Sequence, residues 1–265
     1  MKRMNLMLAA VLLAGPVMAA EAPLPGNDAR CKDARAKLIT TLYKDFLGRP
    51  ATLDEAIKAA GYAVHHKLQP KEYAGFMVML PDYHVRVTME AARMLLNREA
   101  YEEDKALGAA LGRKDVYIRG LIHEEFTGPL PDPNDDGALY TWSGTWIKKV
   151  YKRMIGRSAS LQELEYWRDA IFSARDQGQE LTPIATAMYD SHANHETLVR
   201  KAAEELLFRE PKASELASVA GSMDNKPTMT DESLRAQIGG SDEYIKKAVW
   251  TRTDVCAPSR ETEED

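Results

Sequence analysis

Apolar positions recur at intervals of three and four along most of the chain, and strict alternation is nearly absent. Leu161, Leu164, Tyr166-Trp167 and Ile171 form one such stripe at i, i+3, i+6 and i+10, the period of a helix with one buried face. Start signals stand where the periodicity begins. Thr52-Leu53-Asp54-Glu55 and Ser160-Leu161-Gln162-Glu163 read as capping boxes, in which the hydroxyl and the Glu satisfy orphan amides of the first turn. Thr182-Pro183 reads as an N-cap followed by Pro at the first helical position, where its missing N–H is no loss. Prolines beyond residue 20 fall between periodic segments, so no helix needs a kink. The pattern predicts an all-α fold.

Laid against itself, the chain brings four segments into one register: Phe46-Leu47-Gly48-Arg49, Leu95-Leu96-Asn97-Arg98, Met154-Ile155-Gly156-Arg157 and Leu206-Leu207-Phe208-Arg209. Six residues beyond each Arg stands an acid: Glu55, Asp104, Glu163 and Glu215. The Arg residues are 49, 59 and 52 positions apart, which suits a repeated unit of about three short helices. A second element closes three of the copies, at Asp82-Tyr83, Glu125-Phe126 and Ser241-Asp242-Glu243-Tyr244, whereas the third copy has Ser191-His192-Ala193-Asn194. The expected architecture is a tandem array of four related units in two pairs, residues 34–126 and 140–253, with an acidic Pro-rich connector at 127–139. An Arg that ends one helix and an acid in the first turn of the next are placed to pair across the corner and to favour both helix dipoles.

The third copy, Tyr151-Lys152-Arg153-Met154-Ile155-Gly156-Arg157-Ser158-Ala159 continuing into Glu163-Leu164-Glu165-Tyr166-Trp167, resembles an uncharacterised helical repeat family of bacterial secreted and surface-layer proteins. That family's pattern is Y-x-x-L-L-G-R-x-A/P-x-x-x-E-L-x-Y-W with a closing S-x-E-Y. Tyr43 to Ala51 follows it, and the fourth copy keeps Arg209-Glu210-Pro211, Glu215-Leu216 and the close at Ser241 to Tyr244. The second copy lacks the Gly and the Trp. The resemblance spans about residues 38–250 and implies a non-catalytic envelope or surface role with no assigned active residues.

Composition agrees with a folded protein: 45% of residues are hydrophobic and 28% charged, with only 16 Gly and 13 Pro, which excludes collagen-like and wholly disordered classes. Residues 1–20 read as a secretory signal peptide: Lys2 and Arg3, the apolar run Leu6 to Ala14, then Gly15-Pro16 and small residues. Residues 21–33 lead into the first unit, and 254–265 form an acidic tail. The expected location is the periplasm, the cell surface or the exterior, without a transmembrane anchor in the mature chain. Formal charge is −5, or about −7 without Lys2 and Arg3, which disfavours a nucleic-acid partner. The only cysteines, Cys31 and Cys256, predict a disulfide in an oxidising compartment. The loop of roughly 225 residues would contribute on the order of 5 kcal/mol in the chain-entropy treatment.

Candidate chemistry is sparse. Asp132, Asn134 and Asp136 occupy positions 1, 3 and 5 of a D-x-N-x-D-G sequence, where oxygens can converge on calcium and Gly137 permits the turn. Position 12, which needs a bidentate Glu, is Ser143, and Pro129, Pro131 and Pro133 suit a connector. His192 and His195, three apart beside Asp190 and Glu196, can share a helix face toward a transition metal, but the spacing matches no H-E-x-x-H motif. No G-x-S-x-G elbow or phosphate loop occurs. Tyr140, Trp142 and Trp146 follow the acidic stretch and fit either helix packing or a partner-binding surface. The resulting expectation is an exported structural or adaptor protein that binds protein or glycan partners. An envelope hydrolase using paired carboxylates and a calcium-tuned adhesion module stand as alternatives.

Overall fold

The computed structural model describes residues 34–111, 118–123, 131, 135–226 and 229–251. Among them every regular element is helical and no strand occurs. The signal segment 1–20, the stretch 21–33, both cysteines, Asp132, Asn134, Glu125-Phe126 and the tail 254–265 lie outside the described residues.

The first helix, α1 (Ala34–Leu42), runs into a wide π turn at Tyr43–Leu47. It is followed by α2 (Leu53–His65), α3 (Pro70–Met77) and α4 (Pro81–Ala91), the last with its own π turn at Ala92–Leu96. Next come α5 (Glu102–Leu111) and a helical stretch at 118–123. Then α6 (Asp136–Val150) ends in the π turn Tyr151–Ile155 and is followed by α7 (Leu161–Asp176), α8 (Thr182–Tyr189) and α9 (His192–Leu207). The remaining elements are α10 (Ala213–Asn225), α11 (Asp231–Gly239) and α12 (Asp242–Lys246), which passes into a π turn at Lys247–Thr251.

Both capping boxes form as the sequence predicts. Glu55 N–H donates to Thr52 Oγ1 and Thr52 N–H to Glu55 Oε2, at 3.2 and 2.8 Å; Ser160 and Glu163 repeat the arrangement at the same distances. Thr182 differs. The N-cap of α8 is Leu181, and the Thr182 hydroxyl lies 3.2 Å from His123 Nδ1 instead, because the stretch at 118–123 brings a polar ring to that end of the helix.

By packing, the described residues fall into two compact units. Unit 1 takes residues up to 83 together with 202–209 and those from 232 onward; unit 2 takes 84–201 and 210–231. In unit 1, Leu38, Leu42, Phe46, Met77, Tyr83, Leu206, Leu234, Tyr244 and Ala248 are buried. The end of α11 lies directly on α3: a Cβ at Gly239 would stand 2.7 Å from Ala74 Cβ and 2.9 Å from Phe46 Cζ. Only glycine permits that approach. In unit 2 a core of Leu95, Ile118, Ile122, Leu139, Trp146, Ile147, Tyr151, Trp167, Ile171 and Met188 is sealed by a buried hydrogen bond of 2.9 Å from Trp167 Nε1 to Tyr151 Oη. That bond satisfies two polar groups that would otherwise be stranded in the core.

Candidate functional site

The four superposed segments share a backbone feature that the sequence showed only in part. Gly48, Asn97, Gly156 and Phe208, each preceding its Arg, all adopt left-handed conformations, with φ of 74°, 53°, 77° and 51°. Glycine and asparagine enter this region readily and phenylalanine does not. The reversal at that residue ends one helix and turns the following Arg back toward the start of the next.

Each Arg then meets an acid. Arg49 grips Glu55 with both Nη atoms at 2.7 and 2.8 Å, and Arg157 grips Glu163 the same way at 2.6 and 2.9 Å. Arg98 holds Asp104 at 2.6 Å. The first three Arg residues also donate to the carbonyl of the next residue, at 3.5, 3.0 and 3.0 Å. The acids do a second job in all four copies, accepting the backbone N–H three residues upstream: Thr52, Tyr101 and Ser160 at 2.8 Å each, and Lys212 at 3.3 Å onto Glu215. Arg209 places its fork on Glu243, with Nε and Nη2 both at 2.8 Å.

That last pairing explains the closing motif. Arg49 also reaches Asp82, at 2.6 Å. Asp82 precedes Tyr83 and Glu243 precedes Tyr244, and both tyrosines are almost wholly buried. The Tyr anchors the helix in the core of unit 1, which leaves the preceding carboxylate at the surface facing an Arg about two helices earlier in sequence. The closing pairs are legible in the sequence but their partners are not, because an offset of 33 or 34 residues carries no local signal.

The electrostatics follow from this geometry. Hydrogen bonds from Arg49, Arg157 and Arg209 draw the carboxyls of Glu55, Glu163 and Glu243 down to about 2, against the opposing effect of partial burial. Burial pushes the Tyr43 phenol, over which Arg49 sits, up to about 12. Carboxylates so firmly ionised cannot donate a proton to a leaving group near neutral pH.

The other candidates are dispersed. Trp146 is buried in unit 2, and Trp142 packs partly against that core while stacking on Trp146 at 6.0 Å. Tyr140 stays 55% exposed, its ring covered by the Arg168 guanidinium 3.7 Å from the centroid. Of the three aromatic residues, Tyr140 is exposed, Trp142 half-buried and Trp146 buried. Tyr166, beside the buried Trp167, is 65% exposed and adds a second aromatic surface, although the apolar stripe places it with the buried face. Asp136 is held by Arg175 at 2.5 Å, and Asp135, not among the calcium candidates, caps α6 by accepting Ala138 N–H at 2.9 Å.

His192 and His195 each place Nδ1 2.6 Å from a different oxygen of Asp224 on α10. Burial raises the Asp224 carboxyl, but hydrogen bonds from His195 and His192 outweigh it, and the net direction is down. Each oxygen serves its own ring, an arrangement of two hydrogen bonds and not of ligands converging on one point. Among the described residues no group of three or more His, Cys, Asp or Glu side chains is placed to hold a metal ion. No helix among them is long and apolar enough to cross a membrane. No family model, curated protein or solved structure matches the chain.

Proposed function

We propose that this chain is an exported, non-catalytic helical-repeat protein of the bacterial envelope or cell surface, built from four related units in two pairs and acting as a structural or adaptor protein for protein or glycan partners. The observation that carries the reading is the common corner: four left-handed turns, four Arg residues forked onto carboxylates, and four acids that each accept the backbone N–H three residues upstream. The residues that recur between copies are spent on bracing helices, as expected where repetition serves to extend a surface. Glu55, Glu163 and Glu243 are held as anions, which suits them to bracing and not to the general-acid role an envelope hydrolase needs. Tyr140 and Tyr166 supply rigid aromatic surface of the kind that anchors partners.

The test is crosslinking in envelope preparations with wild type, Tyr140→Ala, Tyr166→Ala and the double variant. The double variant is expected to lose at least half of the captured species while keeping the wild-type helical signal. Undiminished capture, or turnover of envelope glycan or peptide by the wild type, would overturn the proposal.

A further inference from the structure

We propose that Arg168 and Tyr140 form a binding site for the carboxylate of an acidic sugar, a uronic acid in a glycan chain. The proposal rests on the adaptor reading and deepens it by naming the chemistry of the partner that Tyr140 meets.

The site arises from the register of α6 on α7. Asp136, Tyr140 and Gly144 stand four residues apart and line one stripe of α6, while Arg168 and Arg175, seven apart, line one stripe of α7. Arg175 meets Asp136 at 2.5 Å. Further along the same stripes, Arg168 meets a ring and a glycine instead of an acid. Its guanidinium lies over Tyr140, 3.7 Å from the centroid, and Nη2 stands 3.0 Å from where a Cβ at Gly144 would be. Nε is buried without a hydrogen-bond partner, and among the described residues no carboxylate pairs with the group. Nη1 and Nη2 keep access to solvent. An uncompensated, half-buried cation is costly, yet the packing holds this one flat on an aromatic face with its outer donors free.

The ligand follows from those donors and their surroundings. Two N–H groups in one plane match the two oxygens of a carboxylate. Stacking fixes that plane in advance, so less freedom is lost on binding. Exposed Glu165 and Asp169 stand three residues before and one after Arg168 on α7, and a single cation between two acids offsets one negative charge but not a phosphate dianion. Tyr140 remains 55% exposed with the guanidinium over one face, and its open surface suits the apolar C–H side of a pyranose. A carboxylate attached to such a ring uses both features at once. An acidic peptide brings the charge without the ring.

The test is calorimetric titration of the full chain with short oligomers of galacturonate and of glucuronate, each as free acid and as methyl ester, with pentaglutamate as the acidic control. The free acid of at least one sugar is expected to bind on the order of tenfold or more tighter than its ester, which keeps the ring and removes the charge, and than pentaglutamate. Arg168→Lys keeps a stem and a charge but not the fork, and is expected to weaken the acid sugar on the order of tenfold or more without changing the ester. Tyr140→Ala is expected to weaken both forms. Equal binding of acid and ester, peptide binding as tight as that of the sugar, full affinity in either variant, or no binding of either sugar would overturn the site. Circular dichroism checks that the variants fold; if they do not, the acid-to-ester ratio on wild type decides. Capture that depends on Tyr140 without uronate binding overturns this site and leaves the adaptor reading standing, whereas uronate binding by a chain that captures nothing from the envelope does the reverse.

Discussion

Replacing Glu163 by Gln isolates the charge of one corner from its capping role, since Gln at the third helical position still accepts the Ser160 amide. Glu163 is drawn from 4.5 to about 2, chiefly by its hydrogen bonds from Arg157. At about 1.4 kcal/mol per pH unit the full shift corresponds to a ceiling of roughly 3.4 kcal/mol. The side chains of Arg157 and Glu163 are 43% and 25% exposed, so water and salt screen much of that attraction. Exposed pairs contribute about 0.2–1 kcal/mol and a bidentate fork somewhat more, which sets the expected coupling at about 1–1.5 kcal/mol.

Urea unfolding of wild type, Glu163→Gln, Arg157→Ala and the double variant measures this coupling as a thermodynamic cycle. Three of the four tryptophans, Trp142, Trp146 and Trp167, belong to unit 2 and Trp250 to unit 1, so the cycle is run in a Trp250→Phe background, in which tryptophan fluorescence follows the unit that contains the corner. The sign with pH is fixed because the folded carboxyl is depressed below its unfolded value. Its contribution is fully present above about pH 4.5 and disappears as pH falls toward and through about 2. A coupling below about 0.3 kcal/mol at pH 7, or one that persists undiminished at pH 2, would refute the bracing role.

Two glycines should fail for opposite reasons. Gly156→Ala meets no heavy atom within 4 Å of the new Cβ but keeps φ at +77°, so backbone strain, partly offset by a less flexible unfolded chain, costs about 0.5–1.5 kcal/mol. Gly239→Ala forces its Cβ against Ala74 and Phe46 and should cost about 1–3 kcal/mol by overpacking; calorimetry that ranked Gly156→Ala as clearly the more damaging would contradict both explanations. Calcium in excess over chelator should leave the melting temperature unchanged, because Arg175 already occupies Asp136; an upward shift would restore the calcium loop as a site.

What the sequence revealed about this molecule depended on how local each interaction is. The six-residue Arg–acid offset was legible because both partners flank one turn, and Gly48, Gly156 and Asn97 announced the left-handed residue that makes the turn possible. Phe208 hid the fourth copy's turn, since its side chain argues against the conformation that it adopts at φ 51°. It is nonetheless 57% exposed, so the position must be imposed by the helices on either side and not by burial of its ring. Pairings such as Arg49 with Asp82, Arg209 with Glu243 and the two histidines with Asp224 span 29 to 34 residues and require the helices to be packed before they exist. The same reasoning separates the aromatic candidates: periodicity located Tyr140, Trp142 and Trp146 on one helix, but only packing decided that Trp146 fills the core while Tyr140 remains outside under Arg168. Unit 1 is the extreme case. Its members are separated by more than a hundred residues of intervening chain, and the hydrogen bonds from Thr41 to Ala248 and from Tyr244 to Asp45 belong to no local pattern.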